Sequence, residues 1–550
     1  MILNRRKSRN RALAGSLLLA ALALLAVGCS NQPAVVAERD DREPERGGSA
    51  VLGSISDVDS WNEYTSQQSF AGNLLRRIFL RLAQDNGHGA ENPMNFEPLL
   101  AESWEMSEDG LSLTFVLRDA RWSDGLPLTA DDVRFTWLAQ TNPDVPWHGG
   151  ASKSRITDVE VLGPLRVRFH FDDRYPFQLA DATEGGIIPE HLFGKVPFEQ
   201  WATHDWSQYT IGSGPFVLKR HSPQHEIVLE RNPYYYEDGL PMLDRVVVRI
   251  VPDVLALLTL LESGEIDWID GVPPRDANRI VNRSGSVLSV VPFDYPNYDF
   301  IGWNEKRPPL DSAELRRALT MAIDRDALVE DLLYGYGTVS RTPVPSSWWG
   351  ADRSIDALPY RPDETREVLA GLGFATVDAD GTRRDGVPLR IEILTNNGNR
   401  MRRDMLVKIQ EQLSRVGVEA ELRPMEPKAM RQQVLSNDFD GFLGGWVFVG
   451  RVDLAPLFGT DYAPPRGLNV VHYGSTELDG FLEQLEQAQD ARAMATPLRN
   501  IQRQLYEDQP YTLLYETQRI AAHGPRLRGV VVDVPSDPLM RLERFWVATP

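Results

Sequence analysis

Apolar and polar residues alternate in the first third of the chain in a way that predicts β-strands. In the segment "LSLTFVLRDARWSDG", every second residue from Leu111 to Leu117 is apolar, which is the pattern of a strand with one buried face. The segment "VEVLGPLRVRFHF" alternates on both sides of a turn at Gly163 and predicts a hairpin. Between them, Thr129 followed three residues later by Asp132 has the pattern of a helix N-terminus. Together these elements predict one small α/β domain.

Two later segments each predict a strand, a helix and a second strand. In residues 244–270, an alternating strand precedes Asp253 as helix N-cap, leucines at helical spacing, and Gly264, which ends the helix. Residues 388–425 repeat this order, with Gly417 between the helix and the second strand. Such units pack as right-handed parallel crossovers. Because the two units lie about 140 residues apart, they predict two α/β sheets and therefore two lobes, with a ligand cleft between them.

The N-terminal 48 residues differ in composition from the rest of the chain. A basic head and the apolar run "ALAGSLLLAALALLAVG" end at Cys29, which predicts a secretory signal peptide over residues 1–28. The run is shorter than the roughly 20 apolar residues that a spanning helix needs. The motif "AVGC" resembles a bacterial lipobox, which implies that Cys29 is lipidated and becomes the mature N-terminus. Residues 29–48 are rich in proline, glycine and charge and predict a disordered tether.

Composition narrows the classes of partner. Cys29 is the only cysteine, so the body that follows must be stable without disulfides. Residues 29–550 comprise 522 residues, which suggests about three domains at roughly 150 residues each. Without the five basic residues of the signal peptide, 53 basic and 78 acidic residues remain, a net charge of −25. Such a surface repels nucleic acid and anionic lipid and mildly favours cationic or neutral ligands.

The common catalytic motifs are absent from the sequence. It contains no G-x-S-x-G, no H-E-x-x-H and no phosphate-binding loop. His221 and His225 are separated by a proline, so we expect them on a surface loop and not at a metal site. Capping and turns account for paired carboxylates such as Asp131 and Asp132. The sequence therefore predicts a protein that is not an enzyme and that holds no metal or cofactor.

A series of segments resembles, in order and over nearly the whole mature chain, the bacterial extracellular solute-binding proteins of family five, which serve peptide, nickel and opine-type ABC importers. The segments are "EPLLAESWEMSEDGLSLTFVLRDARWSDGLPLTADDVRFTW", "IGSGPFVL", "VLERNPYYY", "LLESGEIDW", "RRALTMAIDRDALVEDLLYGYGTVSRTPVP" and "YEDQPYTLLY". The resemblance implies an α/β, two-lobed periplasmic-binding-protein type II fold (Venus flytrap) with an extra small α/β subdomain in the first lobe. It implies a lobe I core of residues 49–82, 208–297 and 512–550, a lobe I subdomain of residues 83–207, and a lobe II of residues 298–511.

The resemblance also nominates ligand-binding residues. Trp446 corresponds to a tryptophan that the family often places at the cleft. The further nominations, each with core packing as its alternative, are Trp61, Tyr64, Trp303 and Asn304. Peptide-binding relatives typically carry an aspartate three residues after this tryptophan, where it holds the peptide α-ammonium, but this chain has Val449 there and its next acid is Asp453. Either no carboxylate clamps the amino terminus, or Asp453 has taken over that role.

The predicted function is that of a lipid-anchored substrate-binding subunit on the extracytoplasmic, periplasmic face of the cell envelope. It would capture a peptide or related small polar solute by lobe closure and hand it to a permease that a separate ATPase powers. We expect a monomer with no nucleic-acid partner. Two alternatives stay open: an envelope hydrolase acting on peptides or glycans, and a sensor or peptide chaperone on the same fold.

Overall fold

The computed structural model of the protein describes residues 43–85, 95–448, 451–533 and 537–548. The predicted signal peptide, Cys29 and the tether as far as residue 42 lie outside these residues, and so does Val449. The described residues belong to one compact unit.

The strands of the described residues are short, with at most eight residues each. In chain order they are β1 (Ser49–Ser54), β2 (Ala83–Asp85), β3 (Phe96–Pro98), β4 (Ala101–Met106), β5 (Ser112–Leu117), β6 (Ile156–Gly163), β7 (Arg166–Phe171), β8 (Phe216–Ser222), β9 (Glu226–Arg231), β10 (Arg245–Ile250), β11 (Trp268–Asp270), β12 (Ser289–Phe293), β13 (Asn297–Trp303), β14 (Gly337–Val339), β15 (Thr376–Val377), β16 (Arg383–Arg384), β17 (Leu389–Asn396), β18 (Val418–Met425), β19 (Gly441–Val447), β20 (Tyr511–Thr517), β21 (Arg519–His523), β22 (Leu527–Arg528) and β23 (Trp546–Val547).

The helices range from single turns to one of 18 residues. In chain order the α-helices are α1 (Ser69–Ile78), α2 (Ala130–Thr141), α3 (Gln178–Thr183), α4 (Glu190–Phe193), α5 (Val254–Ser263), α6 (Pro274–Asn282), α7 (Ala313–Met321), α8 (Arg325–Leu333), α9 (Pro362–Gly371), α10 (Arg400–Ser414), α11 (Pro427–Leu435), α12 (Ala455–Phe458), α13 (Thr476–Glu486) and α14 (Ala491–Asp508). Short 3₁₀ helices lie at Gly150–Lys153, Phe198–Gln200, Trp206–Gln208, Thr460–Tyr462 and Leu542–Arg544.

Three larger sheets organise these strands. The first has seven strands in the order β12-β21-β11-β1-β10-β9-β8, and the second has six in the order β14-β20-β13-β19-β17-β18. A four-stranded antiparallel sheet, β4-β5-β7-β6, belongs to the stretch predicted as a subdomain. We call the part of the chain around the first sheet lobe I, the part around the second lobe II, and the part around the third the subdomain.

The local predictions for these elements are confirmed. β6 and β7 form the hairpin at Gly163, and the Thr129 N–H donates to the Asp132 carboxylate at the start of α2 (2.9 Å). In lobe II, β17 and β18 on either side of α10 are direct parallel neighbours. In lobe I, β10 and β11 on either side of α5 both run parallel to β1, which lies between them. Gly264 ends α5 with a φ of 77°, a left-handed conformation that favours glycine.

The chain crosses between the lobes at two neighbouring places. It enters lobe II between Phe293 and Asn297, and it returns between Thr517 and Arg519. The Asn297 amide donates to the Thr517 carbonyl and accepts from its hydroxyl, both at 2.9 Å, and Gln518 donates to Asp294 (3.1 Å). These bonds tie the two crossing segments into one hinge. Beside the hinge, α6 of lobe I contacts α8 of lobe II.

Sheet membership differs from the predicted division at one boundary. Residues 512–517 were expected in lobe I, but they belong to β20, which pairs with β13 and β14 of lobe II. The segment "YTLLYET" contains consecutive apolar and aromatic residues at 513–515 and does not alternate strictly, and such a run indicates a buried strand without showing which sheet it joins. Lobe II therefore extends to Thr517. The remaining boundaries stay a proposal.

The lobe II sheet presents one edge to the hinge. β17, β18 and β19 are parallel, so their carboxyl ends point towards the same edge. β13 is antiparallel to β19 and pairs Asn297 with Val447. The carboxyl end of β19 therefore lies where the chain enters lobe II. In α/β sheets, ligands bind outside the carboxyl ends of the strands.

Candidate functional site

Beyond the hinge, the two lobes meet at Phe177, the residue that precedes α3 of the subdomain. Its ring packs on an apolar cluster of lobe II made by Ala488, Met494 and Leu498, together with Leu485, Trp348 and Trp349. The guanidinium of Arg451, also in lobe II, lies over the ring at 5.5 Å from its centroid. The cleft is therefore closed at this point by one aromatic side chain of the subdomain and a largely aromatic and apolar surface of lobe II.

Asp181 lies in α3, one turn after Phe177. The Phe177 carbonyl accepts from the Asp181 N–H (2.8 Å) at the start of this helix. Asp181 is only 7% exposed, and this burial raises the pKa of its carboxyl to about 6. The Tyr175 hydroxyl and the cationic groups of Arg451 and Lys153 act in the opposite direction without cancelling the effect of burial. Asp181 is thus a buried carboxylate whose neighbours leave its charge incompletely compensated.

A network of buried polar side chains supports α3 by hydrogen bonds to its main-chain carbonyls. The Lys153 ammonium, 1% exposed, donates to the carbonyls of Asp181 and Glu184, and burial lowers its pKa to about 8. Gln140 donates to the Glu184 carbonyl (3.0 Å) and to the Tyr64 hydroxyl (3.1 Å). Tyr64, one of the nominated ligand residues, is fully buried. It supports the segment that carries Asp181 and offers no surface to a ligand.

Trp61 lies elsewhere in lobe I and anchors a loop. Its indole donates to Nδ1 of His221 (3.1 Å), and Nε2 of His221 lies 2.9 Å from the Asp57 carboxylate. Because an indole can only donate, Nδ1 is the acceptor and Nε2 carries the proton towards Asp57. The expectation of a surface loop at His221 was wrong, since this residue lies in β8 and is half-buried. Trp61 itself is 4% exposed.

Trp446 is the nominated aromatic residue that lies at the hinge edge of lobe II. It stands one residue before the end of β19, opposite Tyr298, and it is partly exposed. Its ring stacks on Phe300 with a centroid separation of 6.2 Å and an interplanar angle of 16°. Its indole donates to the Tyr511 hydroxyl (3.4 Å). Trp446 therefore combines a fixed orientation with an exposed face near the cleft.

Trp303 and Asn304 lie at the far end of β13. The register places Trp303 opposite Gly441 and Asn297 opposite Val447, so six residues, or about 20 Å of strand, separate Trp303 from the hinge edge. The Trp303 indole donates to Thr512 (2.9 Å), and the Asn304 amide donates to a carbonyl of the lobe II core (2.8 Å). Both are fully buried. The structure does not bring them to the cleft.

Asp453 is exposed, and its carboxylate accepts from the Ala455 N–H (3.2 Å) at the start of α12. Arg451, two residues earlier, is the side chain of this segment that reaches the subdomain. Sequence reasoning missed Phe177, Asp181 and Arg451. The only available signal was that Arg451 follows Trp446 in the same glycine-rich segment, because nothing in the local sequence shows that residues near 177 and 451 meet.

A separate cavity of about 880 Å³ opens between α8 and residues 341–357. All residues that line it, including Glu516, belong to lobe II. Lobe closure would not enclose it, so it is a poorer candidate than the interface for a site that works by closure.

Over residues 43–85, 95–448, 451–533 and 537–548, no group of three or more His, Cys, Asp or Glu side chains is arranged to hold a metal ion. Nor does any helix of the described part of the chain combine the length and apolar character required to cross a bilayer.

Comparison with known proteins identifies the family. Residues 95–459, more than half of the chain, match the model for the bacterial extracellular solute-binding proteins, family 5. The chain is 29% identical to the oligopeptide-binding protein AppA of Bacillus subtilis over 98% of this chain and all of that protein. It is 26% identical to the glutathione-binding protein GsiB of Salmonella typhimurium over 80% of this chain and 84% of that protein.

Solved structures confirm the predicted two-lobed type II fold. AppA of Bacillus subtilis in complex with a nonapeptide aligns with a TM-score of 0.69 over 92% of this chain and all of that chain, at 29% identity. The substrate-binding protein CtaP of Listeria monocytogenes aligns with a TM-score of 0.80 over 92% of this chain and all of that chain, and at 22% identity it speaks for the fold alone. The chain therefore belongs to family 5 of the bacterial extracellular solute-binding proteins, and it is a binding protein and not an enzyme.

Proposed function

We propose that this protein is the lipid-anchored substrate-binding subunit of an ABC importer, which captures a peptide or a related small polar solute between its lobes and delivers it to the permease. The observation that carries the proposal is the contact of Phe177 with lobe II, which supports closure of the subdomain against lobe II over a ligand. The names of the relatives, which specify oligopeptide and glutathione binding, support a peptide as the ligand.

The mechanism is an equilibrium between open and closed lobes. A ligand shifts this equilibrium only by as much as it prefers the closed state. The hinge bonds between Asn297 and Thr517 keep the two crossing segments together while the lobes move. In the closed state, a ligand would lie between the α3 face of the subdomain and the surface formed by Arg451 and Trp446. Aromatic groups supply contact area there, and a few polar groups set orientation.

The binding proposal is tested by mass spectrometry of the molecules that co-purify with the protein, followed by small-angle scattering with and without the ligand found. We expect compaction at saturation and recovery of a chemically unchanged ligand. A product that accumulates with time would contradict binding without chemical change of the ligand. A lack of compaction would contradict delivery by lobe closure.

The anchor is tested separately at Cys29. We expect the mature wild-type N-terminus to be a lipid-modified Cys29, because several acyl chains together give stable anchoring where one does not. Cys29→Ala abolishes this modification, and release into detergent-free extract is expected when the retained signal peptide is also removed. An unmodified or different mature N-terminus in the wild type would contradict the anchor.

A further inference from the structure

We propose that Asp181 is the residue of the cleft that binds a cationic group of the ligand, and that Arg451 of lobe II competes with the ligand for the same carboxylate. The inference rests on the proposed function and narrows the ligand to peptides or related solutes that present an ammonium or guanidinium group to α3.

Asp181 lies in the helix that follows Phe177, the subdomain residue in contact with lobe II. The Phe177 carbonyl accepts from the Asp181 N–H (2.8 Å), so the two residues are one turn apart. The carboxylate is close enough to lobe II for the Arg451 guanidinium to attract it. It is more than nine-tenths buried, so a cation that reaches it would be partly shielded from water, where an ionic hydrogen bond is stronger than at an exposed site.

The charged groups around Asp181 belong to the subdomain and to lobe II. The ammonium of Lys153 is bonded to two main-chain carbonyls, and the nearby Glu184 carboxylate raises the pKa of Asp181 in addition to the dominant effect of burial. Tyr175 contributes a neutral hydroxyl. The described residues of the subdomain thus bury a carboxylate without supplying an ion pair for it. An isolated buried charge is unfavourable unless a partner compensates it, and a cationic ligand group would be that partner.

Arg451 is a cationic residue of lobe II that lies near Asp181. Its side chain is exposed and lies over the Phe177 ring, and it attracts the Asp181 carboxylate from the other lobe. Among the residues that the structure describes, no carboxylate lies within 4.0 Å of its guanidinium. Arg451 is therefore not locked in an ion pair. A ligand cation that binds more closely to Asp181 can replace it, which leaves the guanidinium for an acidic group of the ligand.

The alternative is that Asp181 and Arg451 form only a closing latch. A latch affects the closed state whatever the ligand, so changing either residue would weaken charged and uncharged ligands alike. A cation site favours ligands that carry the cation, and loss of the competing Arg451 would strengthen their binding relative to that of uncharged ligands. The two interpretations therefore differ in the ratio of the affinities for charged and uncharged ligands: Arg451→Gln raises this ratio for a cation site and leaves it unchanged for a latch.

The experiment measures binding by calorimetry with the amidated peptide Ala-Ala-Lys-Ala-Ala, its norleucine analogue, and the acetylated form of each. The proteins are the wild type, Asp181→Asn, Arg451→Gln, Asp453→Asn and, as a matched control, Asp173→Asn, whose carboxylate is 71% exposed. Acetylation identifies the α-ammonium as the bound cation, and norleucine identifies the lysine side chain. Losing one partner of a buried charged pair costs at least about thirtyfold in affinity.

We expect Asp181→Asn to weaken the peptides that carry the bound cation by at least about thirtyfold and to leave the acetylated norleucine peptide within about threefold of wild type. We expect Arg451→Gln to weaken the acetylated norleucine peptide by up to about fivefold, through loss of the contact with Phe177, and to raise the affinity of the cationic peptides relative to that peptide. We expect Asp173→Asn to change nothing. Equal weakening of all peptides by Asp181→Asn and Arg451→Gln would overturn the proposal in favour of a latch. If Asp453→Asn, and not Asp181→Asn, removes the preference for cationic peptides, the proposal is overturned and Asp453 is the residue that binds the cation.

The pH dependence of peptide affinity is a further test, because a purely structural role of Asp181 would not make binding of cationic peptides depend on its ionisation. With a pKa of about 6, Asp181 is mostly ionised at pH 7 and mostly protonated at pH 5, so cationic peptides should bind about tenfold more weakly at pH 5. The other charged or titratable groups that face it are Tyr175, Lys153, Glu184 and Arg451. The pH dependence should disappear in Asp181→Asn, and its persistence there would overturn the assignment.

Failure of this inference can be told apart from failure of the proposed function. Wild-type protein is incubated with a casein digest, and the retained peptides are compared in charge with those retained by Asp181→Asn. Enrichment of cationic peptides by the wild type alone supports the inference. Retention without charge preference overturns the inference and leaves the proposed function standing. If no peptide is retained, the peptide-binding function fails and the inference falls with it.

Discussion

Phe177→Ala should open the cleft. The ring packs against lobe II only while the lobes are closed, so its loss destabilises the closed state relative to the open one. Full burial of a phenylalanine side chain is worth about 1.5–3 kcal/mol, and a half-buried ring contributes roughly 1–2 kcal/mol on that scale. The exposed cation–π contact with Arg451 adds about 0.5–1 kcal/mol. The sum, about 1.5–3 kcal/mol, corresponds to a shift of about 10- to 150-fold in the open–closed equilibrium.

Two measurements report this shift. Small-angle scattering without ligand should show a larger radius of gyration for Phe177→Ala than for wild type when the wild type is mainly closed. If the wild type is mainly open, calorimetry with a bound peptide should show a higher Kd for Phe177→Ala. The increase can reach the whole 10- to 150-fold shift, because the affinity is proportional to the fraction of protein in the closed, binding-competent state. One of the two quantities must change.

The control is Phe198→Ala. Phe198 is also a half-buried aromatic residue of the subdomain, but it stacks on Phe135 within the subdomain, with 6.1 Å between ring centroids. Phe177 also packs against the lobe I core, so both substitutions should lower subdomain stability, whereas only Phe177→Ala should affect closure. The interpretation is refuted if Phe177→Ala leaves the radius of gyration and the Kd unchanged, or if Phe198→Ala raises the Kd equally.

Two further predictions concern stability. Burial raises the pKa of Glu516 to about 7 despite hydrogen bonds from Ser346. The protonated Glu516 side chain therefore adds to the free energy of unfolding below about pH 4.5, and this contribution is lost as the pH rises through 7. Thermal unfolding should therefore show Glu516→Gln to be more stable relative to wild type at pH 8 than at pH 5, and an equal difference at both pH values would argue against it. Gly445→Ala would place its Cβ against both members of the partly buried Asp299–Arg402 ion pair, which would have to shift, and should cost about 1–3 kcal/mol. Gly480→Ala, in α13 with open space around the new methyl group, should instead stabilise by up to about 1 kcal/mol, and similar melting temperatures for the two variants would refute the clash.

The sequence by itself determined the local elements and the family. The alternation around Phe115 and the N-cap at Thr129 predict structure because each depends on neighbours a few residues away. The two strand–helix–strand units predicted two sheets for the same reason, and both sheets are present. The ordered motifs identified the family although most of them are turns and caps.

The tertiary structure alone decided which side chains face the cleft. Trp303 and Trp446 are similar in sequence context, yet the antiparallel register of β13 and β19 puts one at the far end of the sheet and the other at the hinge edge. Asp181 and Arg451 are 270 residues apart in the chain, and their approach depends on how the subdomain packs on lobe I and how lobe II closes over it. Local periodicity records whether a residue is buried, but it holds no information about the distant segment that buries it.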